Sequence, residues 1–191
     1  MKILFMGTPD FAVGIVDAIV KSNAGEVVGV VTQPDRPKGR SSVLIPSPVK
    51  EYALAHGIKV YQPAKIKARD EVGILRGIDA DIYVVAAFGQ ILSKEILDIP
   101  KYGCINVHAS LLPEFRGSSP IIWSILSERK TTGVTTMMTD RGIDTGDILL
   151  QKEFPLDPED TALTLEEKCA QLRPHFRGYT IHFIPLSLND M

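Results

Sequence analysis

The sequence predicts an open, mostly parallel α/β sheet with helices on both faces and an antiparallel strand pair near its C-terminal end. Short apolar runs alternate with longer amphipathic segments as far as Arg129. Alternation of this kind builds right-handed strand–helix–strand units. Several helix starts are marked by a hydroxyl residue followed by proline. Beyond Arg129, two β-rich runs flank a loop of eight residues, Asp140 to Asp147, rich in glycine and aspartate. That spacing favours an antiparallel pair over another crossover.

The predicted strands are Lys2–Met6, Val27–Thr32, Asp81–Ala86 and Cys104–His108. Ile82-Tyr83-Val84-Val85 is apolar without alternation, as a strand covered on both faces should be. Helices are expected over Phe11–Lys21, Val49–His56, Lys67–Leu75 and Lys94–Leu97. Thr8-Pro9, Ser47-Pro48 and Ser119-Pro120 each place a hydroxyl at an N-cap with proline set at the first helical position. The late strand pair is Gly133–Thr139 and Ile148–Phe154. Thr164-Leu165-Glu166-Glu167 has the form of a capping box, so a last helix should begin near Leu165. It should end by Arg173, because Pro174 follows.

The chain has 191 residues, which suits one domain able to bury roughly 70% of its unfolded surface. A formal net charge of -2 excludes a protein basic all over, while a local basic patch stays open. Cys104 and Cys169 match no metal spacing and read as reduced thiols. No apolar run reaches the roughly 20 residues of a membrane span, and no leader with a cleavage site precedes the first strand. The cytoplasm is the expected location. No metal and no membrane partner are expected, and the chain is expected to be a monomer.

The first turn narrows the chemistry. Gly7-Thr8-Pro9-Asp10-Phe11 holds one glycine where a dinucleotide site would carry three, and Pro9 removes an N–H donor. A phosphate cradle is disfavoured here, so the fold is Rossmann-like without a nucleotide turn.

The chemical candidates lie later. Side chains two apart on a strand share a face, about 7 Å apart at the Cα atoms. Asn106 and His108 should therefore project together near a strand's C-terminal end, where open α/β sheets place ligands. They would either face a ligand or bond to neighbouring backbone. From the loop between the late strands come Asp140, Asp144 and Asp147. At least two of these should serve turn chemistry. Gly142 and Gly146 would permit positive φ and close approach there.

Gly103 to Pro113, together with Gly142-Ile143-Asp144-Thr145-Gly146-Asp147, resembles the signature of folate-dependent formyltransferases. Gly7 to Ala12, Gln33 to Pro37 with Pro46 to Lys50, and Phe115-Arg116-Gly117 extend the resemblance to members acting on charged initiator tRNA. It covers about residues 1–172. The resemblance implies formyl transfer from the co-substrate 10-formyltetrahydrofolate to the α-amine of initiator methionyl-tRNA. It implies catalytic roles for Asn106, His108 and Asp144. It also implies a folate site bordered by Ser110, Leu111, Leu112 and Pro113 and lined by Phe88, Gly89, Gln90, Ile91, Leu92 and Asp140. Arg36, Lys38 and Arg40, in the long connection from Pro34 to Pro48, would meet tRNA phosphates.

The resemblance fades after Leu172. Residues 173–191 read as a divergent tail, and the C-terminal tRNA-binding β-barrel of such proteins is expected to be absent. Other readings stay open: a formyltransferase for another amine, a 10-formyltetrahydrofolate hydrolase, or a catalytically weak folate- or tRNA-binding fragment.

Overall fold

The computed structural model describes residues 1–22, 25–37 and 43–171. In chain order the elements begin with β1 (Lys2–Gly7), α1 (Asp10–Ser22) and β2 (Glu26–Val31). Two short strands follow, β3 (Arg36–Pro37) and β4 (Leu44–Ile45), then α2 (Pro48–Ala55), β5 (Val60–Tyr61) and α3 (Arg69–Arg76). The middle of the chain forms β6 (Ile82–Ala86), α4 (Lys94–Leu97), β7 (Cys104–His108) and α5 (Pro120–Leu126). The last described elements are β8 (Thr131–Met138), β9 (Ile148–Pro155) and α6 (Ala162–Gln171).

Seven strands form one sheet in the order β5-β2-β1-β6-β7-β8-β9. The first five run parallel, whereas β8 is antiparallel to β7 and β9 to β8. This is the fold class the alternation predicts. The pleat explains the layers. Ile3, Phe5, Ile82 and Val84 share one core with α1, α2 and α6 residues such as Val16, Ala53 and Leu165. Leu4, Met6, Tyr83 and Val85 share the other with Val72, Leu75 and Ile96 of α3 and α4. Alternate side chains point to opposite faces, so each central strand feeds both cores. Each fully buried aliphatic side chain contributes about 1.5–3 kcal/mol.

Helix starts follow local chemistry only in part. The Ser47 hydroxyl accepts from the Lys50 N–H at 3.1 Å and Pro48 opens α2, as expected. Ser119 precedes α5, but its φ is 62° and its hydroxyl makes no cap bond. Thr8 stands one residue ahead of the N-cap, because α1 begins at Asp10, and its hydroxyl donates to the Phe88 carbonyl at 3.0 Å. The Phe11 N–H, an unsatisfied donor of the first turn of α1, instead reaches Glu166 Oε1 at 3.1 Å. Helix α6 begins at Ala162, ahead of the expected Leu165. Thr161 and Thr164 form its reciprocal box: the Thr164 N–H donates to Thr161 Oγ1 at 3.2 Å and the Thr161 N–H to Thr164 Oγ1 at 3.0 Å. A second threonine fills the place usually held by glutamate.

The connection from Pro34 to Pro48 is not structureless. Arg36 pairs with Ile45 and Pro37 with Leu44 in a small antiparallel ladder. The stop before Pro174 and the tail at 173–191 lie outside the described residues. Among the described residues, no helix is long and apolar enough to cross a membrane.

Cys104 and Cys169 are free and buried, and burial pushes both thiols from 9.0 up to about 12. Thiols of the unfolded chain ionise near 9, those of the folded chain only near 12. Between these values the unfolded state alone sheds protons, so folding loses stability as pH rises. The contribution is complete below pH 9. Melting temperatures should fall from about pH 9 upward, and less steeply in Cys104→Ala/Cys169→Ala. Equal slopes in the two proteins would contradict this.

Candidate active site

Strand β7 carries the polar pair. Ile105 and Val107 point into one core, which leaves Asn106 and His108 together on the opposite face. Their backbones are held from both sides: Val85 of β6 pairs with Asn106, and Met137 and Thr135 of β8 oppose Asn106 and His108. The loop between β8 and β9 then folds back over the end of β7.

That loop delivers Asp144. Asp144 Oδ1 accepts from Asn106 Nδ2 at 3.0 Å, and Oδ2 accepts from the Gly117 N–H at 2.8 Å. His108 Nδ1 lies 3.5 Å from the same Oδ2. Carboxylate, imidazole and carboxamide therefore meet, although Asp144 stands 38 residues from Asn106 in sequence. His108 Nε2 faces the Phe115 carbonyl at 2.9 Å. A carbonyl only accepts, so Nε2 carries a proton in this arrangement. Of the pair, His108 bonds backbone, while Asn106 bonds the Asp144 side chain, and both line the cleft described below.

The loop glycines meet one of their two expected roles. Asp144 itself takes the left-handed conformation, with φ 52°, whereas Gly142 and Gly146 are not among the positive-φ residues. Their role is close approach. A Cβ on Gly146 would stand 1.9 Å from the Met138 carbonyl oxygen, and one on Gly142 1.9 Å from Thr145 Oγ1. Asp140 performs turn chemistry, accepting from the Gly142 N–H at 3.0 Å and the Thr145 hydroxyl at 2.8 Å. Ala87, Phe115 and Ser119 also have positive φ, so backbone strain gathers around this end of the sheet.

An open cleft of about 820 Å³ lies over the triad, within the roughly 300–1,000 Å³ of small-molecule sites. Phe88, Gly89, Gln90 and Ile91 line it; Leu92 packs against a core instead. The wall is fixed from behind. The Phe88 carbonyl accepts from Thr8 and from Gln33 Nε2 at 3.1 Å. The Gln90 amide accepts from the Ile66 N–H at 2.8 Å and donates to the Pro63 carbonyl at 3.0 Å. Ser110 is fully buried with its hydroxyl donated to the Glu114 carbonyl, Leu112 is buried, and Pro113 is exposed. Thr135 and Gln151 hold this segment against β8 and β9 through the Ser110 carbonyl and both backbone groups of Leu112. Leu111, half-buried beside Gly133, Asp140 and the other residues of 110–113 are not among those lining the cleft. Arg36 is exposed and bonds Gln33 Oε1 at 3.3 Å. Lys38 and Arg40 lie outside the described residues.

Sequence reasoning missed Glu166, which lines the cleft beside Pro9, Phe11 and Ala162. It also missed the carbonyl of Phe115 and the N–H of Gly117 as partners of the triad. Backbone groups leave no compositional signal. Among the described residues, no group of His, Cys, Asp and Glu is arranged to hold a metal ion.

A carboxamide donor, an imidazole and a carboxylate around one cleft suit acyl-type transfer to an amine, where charge appears on oxygen and a proton must leave nitrogen. Residues 1–181 match the family described as formyl transferase, and the chain belongs to that family. More particularly, it is 54% identical over 168 residues to the methionyl-tRNA formyltransferase of Agathobacter rectalis, covering 88% of this chain and 54% of that protein. It is 54% identical over 184 residues to the methionyl-tRNA formyltransferase of Clostridioides difficile, covering 96% of this chain and 59% of that one. The chain thus spans about half the length of the curated relatives it matches. Among solved structures, the phosphoribosylglycinamide formyltransferase of Bacillus halodurans aligns with a TM-score of 0.76 at 25% identity, covering 95% of this chain and 94% of that one.

Proposed function

We propose that the chain carries the catalytic centre of a methionyl-tRNA formyltransferase, moving a formyl group from 10-formyltetrahydrofolate to the α-amine of initiator methionyl-tRNA. The meeting of Asn106, His108 and Asp144 on one carboxylate carries this reading. The identity to the two named relatives supports methionyl-tRNA as the acceptor. The cleft wall at Phe88 to Ile91 offers an apolar face and backbone groups to a flat heterocycle, so the folate donor belongs there.

The amine attacks the formyl carbon as its free base; a reference α-amino pKa of about 7.7–8.0 leaves a usable fraction neutral near pH 7. The new C–N bond sends the carbonyl pair onto oxygen. Asn106 has spent one N–H on Asp144 and keeps the other for that oxygen. One such donor is worth about 3–4 kcal/mol. His108 adds a second only from Nδ1, as imidazolium, because Nε2 stays on the Phe115 carbonyl. Asp144 stabilises that cation and accepts, through water, the proton leaving the ammonium. The oxyanion pair then re-forms the carbonyl, the bond to the donor nitrogen breaks, and that nitrogen takes up, through water, the proton held by Asp144 and leaves as tetrahydrofolate. Arg36 belongs with the tRNA surface, where each phosphate contact adds salt dependence.

The test is formyl-methionine production from 10-formyltetrahydrofolate and charged initiator tRNA. Asn106→Ala and His108→Ala should each lower kcat by about 10²–10³ with KM for folate little changed. In the same assay Arg36→Glu should raise KM for tRNA. Formylation of free methionine as efficient as that of the charged tRNA would refute the acceptor assignment.

A further inference from the structure

The cleft has a second carboxylate, and its position bears on what the enzyme refuses. Helix α1 points its N-terminus into the cleft wall through Pro9 and Phe11. A helix of 13 residues would there offer N–H groups and a positive dipole end to an anion. In this chain that offer is reduced. Pro9 has no N–H, and the Ala12 and Val13 N–H groups are both taken by the Pro9 carbonyl, at 2.9 and 3.2 Å. The Phe11 N–H is held by Glu166 Oε1 at 3.1 Å. Glu166 comes from α6, 155 residues away, and itself lines the cleft. Asp10 adds an acidic residue to the same turn. Among the described residues lining the cleft, the ionisable ones are His108, Asp144 and Glu166, and none is Lys or Arg.

We propose that Glu166 is a specificity-determining residue: it occupies the α1 N-terminus as a built-in anion and excludes acceptor amines that carry a phosphate close to the reacting nitrogen. A phosphate entering beside Phe11 would meet like charge and find no free N–H on Phe11, Ala12 or Val13. An aminoacyl ester with an apolar side chain brings no charge to that end. The proposal rests on the reading of the cleft as the acceptor site.

The experiment reads anion binding without formyl transfer, so its failure is distinct from failure of the proposed activity. The full chain, Glu166→Gln and Glu166→Ala are titrated with inorganic phosphate and with 2-aminoethyl phosphate while the Phe11 amide resonance is followed. In the unaltered chain that resonance should stay in place. In Glu166→Ala it should shift saturably, with an affinity for phosphate higher by about tenfold or more. Glu166→Gln keeps an oxygen for the Phe11 N–H and removes the charge, so its affinity should fall between the two. It also preserves the test should the alanine variant fold poorly. A Phe11 resonance that responds equally in all three proteins, or in none, overturns the proposal.

Discussion

Asp144→Ala is expected to lower the formyl-transfer rate by about 10²–10⁴. The change removes three things together. Asn106 loses the acceptor that orients its amide, Gly117 loses the partner of its N–H, and His108 loses the negative charge 3.5 Å from Nδ1. The first two are losses of position and the third a loss of electrostatics. Asp144→Asn separates them, since the amide oxygen can still accept one hydrogen bond while the charge is gone. The asparagine variant should keep folate binding and lose most of kcat. A folded Asp144→Asn enzyme with near-normal turnover would remove the carboxylate's charge from the mechanism. Each buried donor left without a partner costs about 1–3 kcal/mol, so a moderate drop in melting temperature should accompany the alanine change.

The second large effect is expected at Gly146. A methyl there would lie 1.9 Å from the Met138 carbonyl oxygen and 2.9 Å from its carbon. Both are backbone atoms of β8, paired to β7 at Ile105, so they cannot move cheaply. Relief must come from the loop, at a cost of about 1–3 kcal/mol or more. For a chain of this size that is a fall in Tm of roughly 2–12 °C. Asp144 stands two residues away, so the loop shift should also pull its carboxylate from Asn106 and reduce activity. Gly73 provides the contrast. It lies inside α3, a Cβ there meets nothing within 4 Å, and Gly73→Ala should leave stability equal or slightly raised. Thermal melts of both variants check the pair; a Gly146→Ala protein as stable and active as the parent would contradict the geometry.

Much of this architecture was legible in the residues. Cys104–His108 forms the predicted strand because an apolar run flanked by loop residues has few other uses, and alternation then forces Asn106 and His108 onto one face. Asp144 reaching them could be expected only through family resemblance, since spacing does not encode a return across 38 residues. Local rules failed where a group is satisfied from afar. Thr8 resembles a cap and serves the Phe88 carbonyl; Glu166, next to the Glu167 that would close a box on Thr164, serves Phe11. The strands at 36–37, 44–45 and 60–61 have two residues each, too few for a period to appear. The loop glycines were chosen correctly for crowding and wrongly for backbone sign, because the strain resides in Asp144.

The bond between Phe11 and Glu166 also sets an order of events during synthesis. The partner of residue 11 is joined only after 154 intervening residues have been made, on the 155-residue separation of the pair. At a typical elongation rate of about 5–20 residues per second, making that stretch takes roughly ten seconds or more. Until α6 has been made, the Phe11 N–H lacks the Glu166 carboxylate that holds it in the finished fold.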